Sequence, residues 1–197
     1  MVIDSAHCLL NIQWRESEHC DVPQINIGCN TGQQGGYQCE LIVLHCVSLP
    51  AGEFGSGLPS QLFTGTLDIG AHESFASLAG VRVAPHLFID RDGVVEQFVP
   101  FDRPAWHAGE SQWMNRQGCN RFSLGIELEG TWESPFAEAQ YEALLEVCTA
   151  LCQRYPSLAP NAIVGHQEIA PGRKQDPGPY FDWQRLLVSL HLRLTTQ

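Results

Sequence analysis

The sequence is poor in basic residues, and this shortage limits the partners that the protein can have. Its 197 residues include 11 Lys and Arg against 22 Asp and Glu, which gives a formal net charge of -11. Because binding along a phosphate backbone needs a basic face, nucleic acid is not an expected partner. No apolar run approaches the ~20 residues that a membrane-spanning helix needs, so a membrane is not an expected partner either.

Cysteine pairs with the spacing of a zinc or redox motif are also missing. None of the eight cysteines forms a C-x-x-C pair. The residues before Arg15 contain neither the basic start nor the long apolar run of a secretory signal. We therefore expect a cytoplasmic protein with free thiols. Cys148 and Cys152, four residues apart on a predicted helix, are expected to pack in the core.

The sequence also lacks the regular alternation of strands and helices that is typical of a dinucleotide-binding fold. Two strand-like runs, 83–89 and 94–99, flank the sequence Asp-Arg-Asp-Gly, whose Asp-Gly can supply the positive φ of a hairpin turn. An antiparallel hairpin therefore interrupts the alternation of strands and helices. This order predicts a single domain of the α/β class, of mixed α+β type, with a central mixed sheet flanked by helices.

Several further elements can be predicted from periodicity. Residues 41–47 are apolar on both faces, which indicates a central strand buried on both sides, whereas 123–130 alternate and predict one apolar and one polar face. Helices are predicted at 59–64, 71–78, from Ser134-Pro135 to Pro156, and at 181–194, with a brief strand at 162–164. Residues 1–40 form an N-terminal lead-in, partly a loop with a glycine-rich run at 26–36, and 41–197 form the main domain; we assign no function to 21–40.

Three candidate site residues lie in the proline-rich stretch 165–179: His166, Lys174 and Asp176. The three prolines of this stretch predict that it is not helical, and they favour an extended chain at Asp176. Lys174 and Asp176, two residues apart, then project to the same side. His166 and Asp176 could hold a divalent metal, with Lys174 beside them to stabilise an anion. The alternative interpretation is an exposed loop whose charges are solvated.

Other candidates lie at or near the ends of predicted strands. His45, Glu127 and His166 could converge at one edge of the sheet, where ligand sites often form. Catalytic zinc typically takes three protein ligands and leaves a fourth position open, and His45, His166 and Asp176 would supply such a set. Gly125 shares a strand face with Glu127 and would leave room for a substrate.

The residues alone leave this assignment open. His45 could be a hydrogen-bonded core histidine, Glu127 a surface carboxylate and Lys174 an ordinary loop cation. Glu129 lies on the same strand face as Glu127, so periodicity does not choose between the two carboxylates. As metal ligands, three other histidines are equally available: His72, His86 and His107.

A resemblance to a known family favours one of these sets. It extends over residues 40 to 185, in order and with few gaps. The segments that carry it are 41–45, 48–50, 52–55, 63–65, 83–86, 105–109, 119–120, 122–131, 165–166, 169–171, 173–174, 176–178 and 181–183. They closely resemble the zinc N-acetylmuramoyl-L-alanine amidases, the family that includes the phage T7 lysozyme type and the peptidoglycan recognition proteins.

The resemblance implies a function and a site. It implies an amidase-like fold and one zinc ion held by His45, His166 and Asp176, with Glu127 as the catalytic carboxylate and Lys174 stabilising the oxyanion. The implied partner is a small anhydro-muropeptide, cut in cytoplasmic peptidoglycan recycling between 1,6-anhydro-N-acetylmuramic acid and L-alanine by a monomeric enzyme. The resemblance also points to three substrate contacts: Arg82, Trp106 and Asn120.

One residue departs from the family pattern, and two other functions stay open. Cys46 follows His45 where the family commonly has Asn, so any polar contact of that Asn is expected to be weakened or lost. An endolysin of the phage type would act on intact wall, but its anionic polymer fits poorly with an acidic protein. A non-catalytic muropeptide-binding module is the second alternative, and the complete ligand set argues against it. Arg116 could add positive charge for an anionic substrate.

Overall fold

The computed structural model describes residues 1–20 and 39–196, so the predicted glycine-rich loop at 26–36 lies outside the described residues. The described residues contain eight strands: β1 Gln13–Trp14, β2 Leu41–Val47, β3 Leu87–Ile89, β4 Val95–Gln97, β5 Gln112–Trp113, β6 Arg116–Gln117, β7 Ser123–Glu129 and β8 Ile163–Gly165. The α-helices are α1 Leu58–Phe63, α2 Glu138–Arg154, α3 His166–Ile169 and α4 Trp183–Thr195. Short 3-10 helices lie at Ile69–Ala71, Glu73–Leu78, Cys119–Arg121 and Pro160–Ala162.

Six of the strands form one mixed sheet in the order β1-β4-β3-β7-β2-β8. β2 pairs in parallel with both β7 and β8, and β3 pairs in parallel with β7. The predicted hairpin is the antiparallel β3–β4 pair, and β1 adds a parallel edge strand to β4. The predicted mixed sheet with flanking helices is therefore confirmed. Because β1 comes from the predicted lead-in, the division of the chain at residue 40 stays a prediction.

The two faces of β2 enter different parts of the core. Ile42 and Leu44 pack in the larger cluster, together with apolar residues of α2 and α4. Leu41 and Val43 pack on the opposite face with Ala108 and neighbouring residues. Alternation along a strand places His45 on the same face as Leu41 and Val43. The prediction of a central strand that is buried on both sides is confirmed, and it brings His45 to the end of a covered face.

Parallel pairing sets the residues of the site side by side. In the register of β2 and β7, His45 is the partner of Glu127. In the register of β2 and β8, Leu44 is the partner of Gly165, which places His166 next to His45 at the start of α3. The carboxyl ends of these three strands therefore meet at one edge of the sheet, as the strand-end pattern predicted.

β7 has the predicted apolar and polar faces, and the polar face is covered as well, because Ser123, Gly125 and Glu129 are buried. Two other local predictions are wrong. α2 begins at Glu138 and not after Ser134-Pro135, since the Ser134 hydroxyl pairs with Thr131 while Gln140 accepts the backbone N–H of Ala137. The stretch after Gly165 does contain one helical turn, α3, which ends before the first proline at 171 and is capped by Glu168.

The remaining predicted elements agree with the structure apart from their exact bounds. The segment predicted as a helix at 71–78 is largely a 3-10 helix, and α4 begins after Asp182, whose side chain accepts the backbone N–H of Arg185. Cys148 and Cys152 pack in the larger core cluster as predicted, and both are free thiols. None of the helices in the described part of the chain combines the length and apolar character that crossing a bilayer requires.

Candidate metal centre

Three residues from separate elements converge at the carboxyl edge of the sheet. His45 lies near the end of β2, His166 opens α3, and Asp176 returns on the loop that follows. The backbone N–H of Gln167 donates to the Asp176 carbonyl at 3.0 Å, which ties this loop to α3. A Cβ on Gly165 would lie 2.8 Å from Cδ of Pro177, so the close approach of the Asp176 loop depends on a glycine there.

The polar atoms of these three residues face one another at short range. The two Nδ1 atoms of His45 and His166 are 2.9 Å apart, and Oδ2 of Asp176 lies 3.2 Å and 3.0 Å from them. All three residues are buried. Within residues 1–20 and 39–196 this is the only cluster of three or more His, Cys, Asp or Glu side chains with the proximity that metal binding needs.

Hydrogen bonds on the outer side of the rings fix where the protons lie. Nε2 of His166 is 3.0 Å from the carbonyl oxygen of Ala108, which can only accept, so His166 carries its proton on Nε2. Nε2 of His45 is 2.9 Å from Nδ1 of His107. Burial lowers the pKa of His107 well below its ordinary value, so that ring is neutral, with one donor and one acceptor nitrogen.

Which ring donates in the hydrogen bond between His45 and His107 follows from the contact that His107 makes through its other nitrogen, Nε2. Nε2 of His107 lies 3.2 Å from the hydroxyl of Ser123, and that hydroxyl donates its own proton to the Cys119 carbonyl at 2.7 Å. Nε2 of His107 is therefore the donor to Ser123, and its Nδ1 is an acceptor. His45 consequently donates from Nε2, which leaves its Nδ1 with a free lone pair.

Nδ1 of His45, Nδ1 of the neutral Nε2–H tautomer of His166 and Oδ2 of Asp176 thus point at one another without a proton between them. Burial lowers the pKa of His45 to about 4, so this ring is neutral at pH 7 and its Nδ1 is available as a ligand. Three converging lone pairs in a buried site are unfavourable unless a cation lies among them. The donor set of two histidines and one carboxylate, with further positions open, is one that a catalytic divalent metal uses. The residues therefore fit a metal site.

Glu127 lies beside this cluster and differs sharply from Glu129. Glu127 is half-buried as a residue, but its Oε2 atom is fully buried and has no hydrogen-bond partner among the described residues. Burial raises its pKa well above the ordinary value, the charge of Asp176 adds to this, and Lys174 opposes it. The Glu129 carboxylate instead accepts the backbone N–H groups of Gly55 at 2.6 Å and Arg91 at 3.2 Å, so it fastens two loops.

A cavity of about 380 Å³ opens over the metal-ligand cluster. Its lining includes polar side chains, among them the predicted catalytic pair Glu127 and Lys174, as well as aliphatic and aromatic side chains. The lining residues are His45, Cys46, Val47, Leu62, Phe63, Val83, Ala84, Pro85, His107, Glu127, Trp132, His166, Arg173, Lys174, Gln175 and Asp176. The cavity therefore joins a metal site, a carboxyl group of raised pKa and cationic side chains in one space.

The three predicted substrate contacts are not among the residues that line this cavity. Arg82 stacks over the ring of Trp106 at 5.0 Å, and both are next in sequence to residues that line the cavity. The side-chain oxygen of Asn120 accepts the backbone N–H groups of His107 and Ala108, at 3.1 Å and 2.8 Å. Their roles as substrate contacts stay predictions. Arg116 pairs with Glu40 at 2.5 Å, so its charge is already compensated.

Two residues near the metal ligands were not singled out by the sequence. The sequence did not distinguish His107 from His72 and His86 as a possible metal ligand. Gly125, which lies against the His107 ring, was predicted to leave space for a substrate. That interpretation is wrong, since a Cβ on Gly125 would lie 2.3 Å from Cγ of His107, whose ring occupies the space. Trp132 lines the cavity and is 44% exposed, and its position just after β7 is the sequence signal that could have revealed it.

Cys46 also lines the cavity, directly after His45. Its thiol is half-buried, and burial together with the charge of Glu127 raises its pKa, so the side chain is a neutral thiol. A neutral thiol is a weak hydrogen-bond donor. The expectation of a weakened polar contact at this position stays a prediction.

Comparison with known proteins assigns a family to this arrangement. Residues 35–179 match the N-acetylmuramoyl-L-alanine amidase family. The chain belongs to this family. It is 53% identical to the 1,6-anhydro-N-acetylmuramyl-L-alanine amidase AmpD of Escherichia coli over 148 residues, 75% of this chain and 80% of the relative. It is 46% identical to AmpD of Haemophilus influenzae over 150 residues, 76% and 82% of the two chains.

Solved structures of the amidase family share the fold. A crystal structure of a selenomethionine AmpD derivative superposes with a TM-score of 0.86 at 45% identity and covers 96% of this chain and 99% of its own. The amidase AmiD of Escherichia coli, in complex with anhydro-N-acetylmuramic acid-L-Ala-D-gamma-Glu-L-Lys, gives a TM-score of 0.58 at 30% identity, over 80% of this chain and 60% of that one. The expected amidase-like fold is thereby confirmed.

Proposed function

We propose that this protein is a zinc-dependent amidase that cleaves the amide between the lactyl group of 1,6-anhydro-N-acetylmuramic acid and L-alanine. The observation that carries the proposal is the convergence of His45, His166 and Asp176 in one cavity with Glu127. The buried Oε2 atom of Glu127 has no hydrogen-bond partner among the described residues. Family membership supports the reaction, and AmpD relatives near 50% identity support the anhydro-muropeptide as substrate. Cytoplasmic recycling of muropeptides by a monomer is part of the same proposal.

His45, His166 and Asp176 would hold the metal through Nδ1, Nδ1 and Oδ2. When bound, zinc polarises a carbonyl group and lowers the pKa of water toward ~7. Two histidines and one carboxylate with a further position open form a ligand set that catalytic zinc uses. Metal ligation requires neutral imidazoles and an ionised carboxylate, so the three ligands would contribute one negative charge toward the ion.

Glu127 would transfer the proton of the reaction. A carboxylate accepts a proton from the attacking water and returns it to the nitrogen of the departing L-alanine, so one group acts first as a base and then as an acid. The raised pKa of Glu127 suits this exchange, because an ordinary carboxyl group is too weak a base and too rarely protonated near neutral pH. Its free Oε2 atom is available for the proton.

Lys174 would stabilise the negative charge that develops on the carbonyl oxygen. Its ammonium group lies on the loop between α3 and Asp176 and lines the same cavity as Glu127. A cation at the edge of a partly desolvated cavity interacts more strongly with a new oxyanion than it would in water. Together with Arg173, it also makes this cavity locally positive within an acidic protein.

The decisive experiment compares three substrates with one zinc-loaded preparation. Purified protein is incubated with anhydro-muropeptide, with the reduced ordinary muropeptide and with intact sacculi, and free peptide is quantified by chromatography. We expect rapid release of peptide from the anhydro-muropeptide and slow or no release from sacculi, with Glu127→Gln inactive on all three. Faster release from sacculi would indicate an endolysin. Binding of the anhydro-muropeptide without release by the wild type would indicate a binding module.

A further inference from the structure

The Nε2 atoms of the two proposed histidine ligands hydrogen-bond to two consecutive residues of one loop, His107 and Ala108. Nε2 of His45 donates to Nδ1 of His107 at 2.9 Å, and Nε2 of His166 donates to the carbonyl oxygen of Ala108 at 3.0 Å. β2 and α3, which carry the ligands, are joined to each other through β8, but the 107–108 segment belongs to neither element. One short segment therefore contacts both histidine ligands from the side away from Asp176.

Asn120, Arg173 and strand β7 hold the 107–108 segment in place. The side-chain oxygen of Asn120 accepts both backbone N–H groups, from His107 at 3.1 Å and from Ala108 at 2.8 Å. The Arg173 guanidinium donates to the Ala108 carbonyl at 2.8 Å. The ring of His107 lies over Gly125 and donates to Ser123, so β7 provides both the space and the acceptor for it. The segment is thus fixed at its backbone and at its side chain.

We propose that His107 and Ala108 position the two histidine ligands, and that Asn120 sets the position of the 107–108 segment. This inference rests on the proposed metal site, but it concerns residues that are neither ligands nor groups that react. A ligand imidazole can rotate about its side-chain bonds, and its outer N–H bond is what fixes the ring plane and the tautomer. Without an acceptor at the outer nitrogen, Nδ1 of His45 is no longer held toward Asp176 and His166.

The chemical nature of His107 fits this role. A carboxylate is a common acceptor for a metal-bound histidine, but here it would be a further buried negative charge close to Glu127. A neutral imidazole accepts the same hydrogen bond without that desolvation cost. Its second nitrogen is satisfied by Ser123, whose hydroxyl is in turn satisfied by the Cys119 carbonyl. The chain of donors runs in one direction from His45 to a backbone oxygen.

The first test compares two replacements of His107 in the full chain. Oδ1 of an asparagine stands as many bonds from Cα as Nδ1 of histidine, so His107→Asn keeps an acceptor, whereas His107→Leu, of similar size, removes it. The zinc dissociation constant is measured by competition with a chromophoric chelator. We expect His107→Leu to weaken zinc binding roughly 10- to 100-fold and His107→Asn to stay within about 3-fold of the wild type.

A matched control separates positioning from the general cost of losing a buried histidine. His86 is fully buried and its ring lies 5.9 Å from that of His107, but it bonds to the backbone of Gly125 and Arg103. His86→Asn should leave the zinc dissociation constant unchanged. The visible absorption of the cobalt-substituted protein should shift in His107→Leu and not in His86→Asn. A folded His107→Leu variant with wild-type zinc affinity and cobalt spectrum would overturn the proposal.

A second pair of variants tests Asn120 and keeps the proposal testable if His107→Leu does not fold. Asn120→Asp retains the oxygen that accepts both N–H groups, and Asn120→Ala removes it. We expect weaker zinc binding in Asn120→Ala, by roughly 10-fold, and recovery in Asn120→Asp. A substrate contact alone would raise KM and leave zinc affinity intact, and that result would overturn the positioning role of Asn120. Wild-type protein that binds zinc but cuts no muropeptide would contradict the proposed function and leave this test standing.

Discussion

The imidazole ring of His107 occupies the space that a side chain at position 125 would need. A Cβ on Gly125 would lie 2.3 Å from Cγ and 2.6 Å from Nδ1 of His107. Gly125 has no need of a positive φ, so the requirement for glycine comes from this approach alone. Because Nδ1 of His107 also accepts the hydrogen bond of His45, the space above β7 is coupled directly to the metal ligands.

Gly125→Ala should therefore disturb the fold and the metal site together. The ring of His107 would have to move, and overpacking in a closed interior costs about 1–3 kcal/mol. We expect a lower midpoint of urea unfolding and weaker zinc binding in the same variant. Gly70→Ala is the control, since a Cβ there would meet only the exposed side chain of Asp68 at 3.3 Å. Unchanged zinc affinity in Gly125→Ala would show that the His107 ring can be displaced freely.

The two carboxylates of β7 should respond differently to the same substitution. Glu127→Gln removes the group that is proposed to transfer a proton, and we expect turnover to fall about a hundred- to ten-thousand-fold with zinc content unchanged. Glu129→Gln weakens the acceptor of two backbone N–H groups, which should lower the free energy of unfolding by about 1–3 kcal/mol and leave turnover near the wild type. Turnover, zinc content and urea unfolding are measured on both variants. Loss of turnover in Glu129→Gln alone would reverse the assignment.

Zinc should raise the stability of the wild type but not that of a variant that lacks one metal ligand. A ligand that binds only the native state at 1,000 times its dissociation constant stabilises that state by about 4 kcal/mol. We expect the thermal midpoint to rise on zinc addition in the wild type and to stay constant in His45→Ala. His72 is exposed and hydrogen-bonds to Ser74, so His72→Ala should respond to zinc like the wild type. An equal zinc response in His45→Ala would remove His45 from the ligand set.

Lys174 is the single lysine of the chain, and it is exposed at the mouth of the cavity. An amine-directed acylating reagent should therefore modify it, remove its positive charge and reduce turnover about a hundred- to a thousand-fold, as for the loss of one oxyanion donor. Zinc content should not change. Lys174→Arg keeps a cation that the reagent does not acylate, so its remaining activity should resist the treatment. Full activity after complete modification, measured by mass spectrometry, would exclude the role.

Acid should destabilise the protein partly through His86. Burial lowers the pKa of His86 from its ordinary value of 6.5 to about 4, so the unfolded chain binds more protons than the folded chain between these values. The stabilising contribution is complete above pH 6.5 and is lost as the pH falls toward 4, at about 1.4 kcal/mol per pH unit. In urea unfolding with zinc present, His86→Asn should show a shallower decline than the wild type. Parallel declines would contradict the buried neutral state of His86.

Elements whose signal lies within a few residues could be predicted from the sequence. The two apolar faces of 41–47, the Asp-Gly turn of the hairpin and the helical spacing that continues to Pro156 each predicted an observed element. Local competition produced the errors, as where the Ser134 hydroxyl pairs with Thr131 and no longer caps a helix. A family resemblance then supplied the ligand set and the catalytic carboxylate, which periodicity had left open.

The contacts of each polar group near the site depend on the tertiary structure and could not be predicted from the sequence. Glu127 and Glu129 share one strand face, yet Glu129 is taken by loop N–H groups that come from positions 55 and 91. The sequence did not distinguish His107 from His72. The fold places His45 and Ser123 against the ring of His107, whereas His72 hydrogen-bonds locally to Ser74. His45 and Asp176 are 131 positions apart, and a local pattern does not specify such a contact because it depends on strand register and loop closure. The proposed ligand set could thus be inferred from a sequence resemblance, whereas the groups that contact those residues from outside could not.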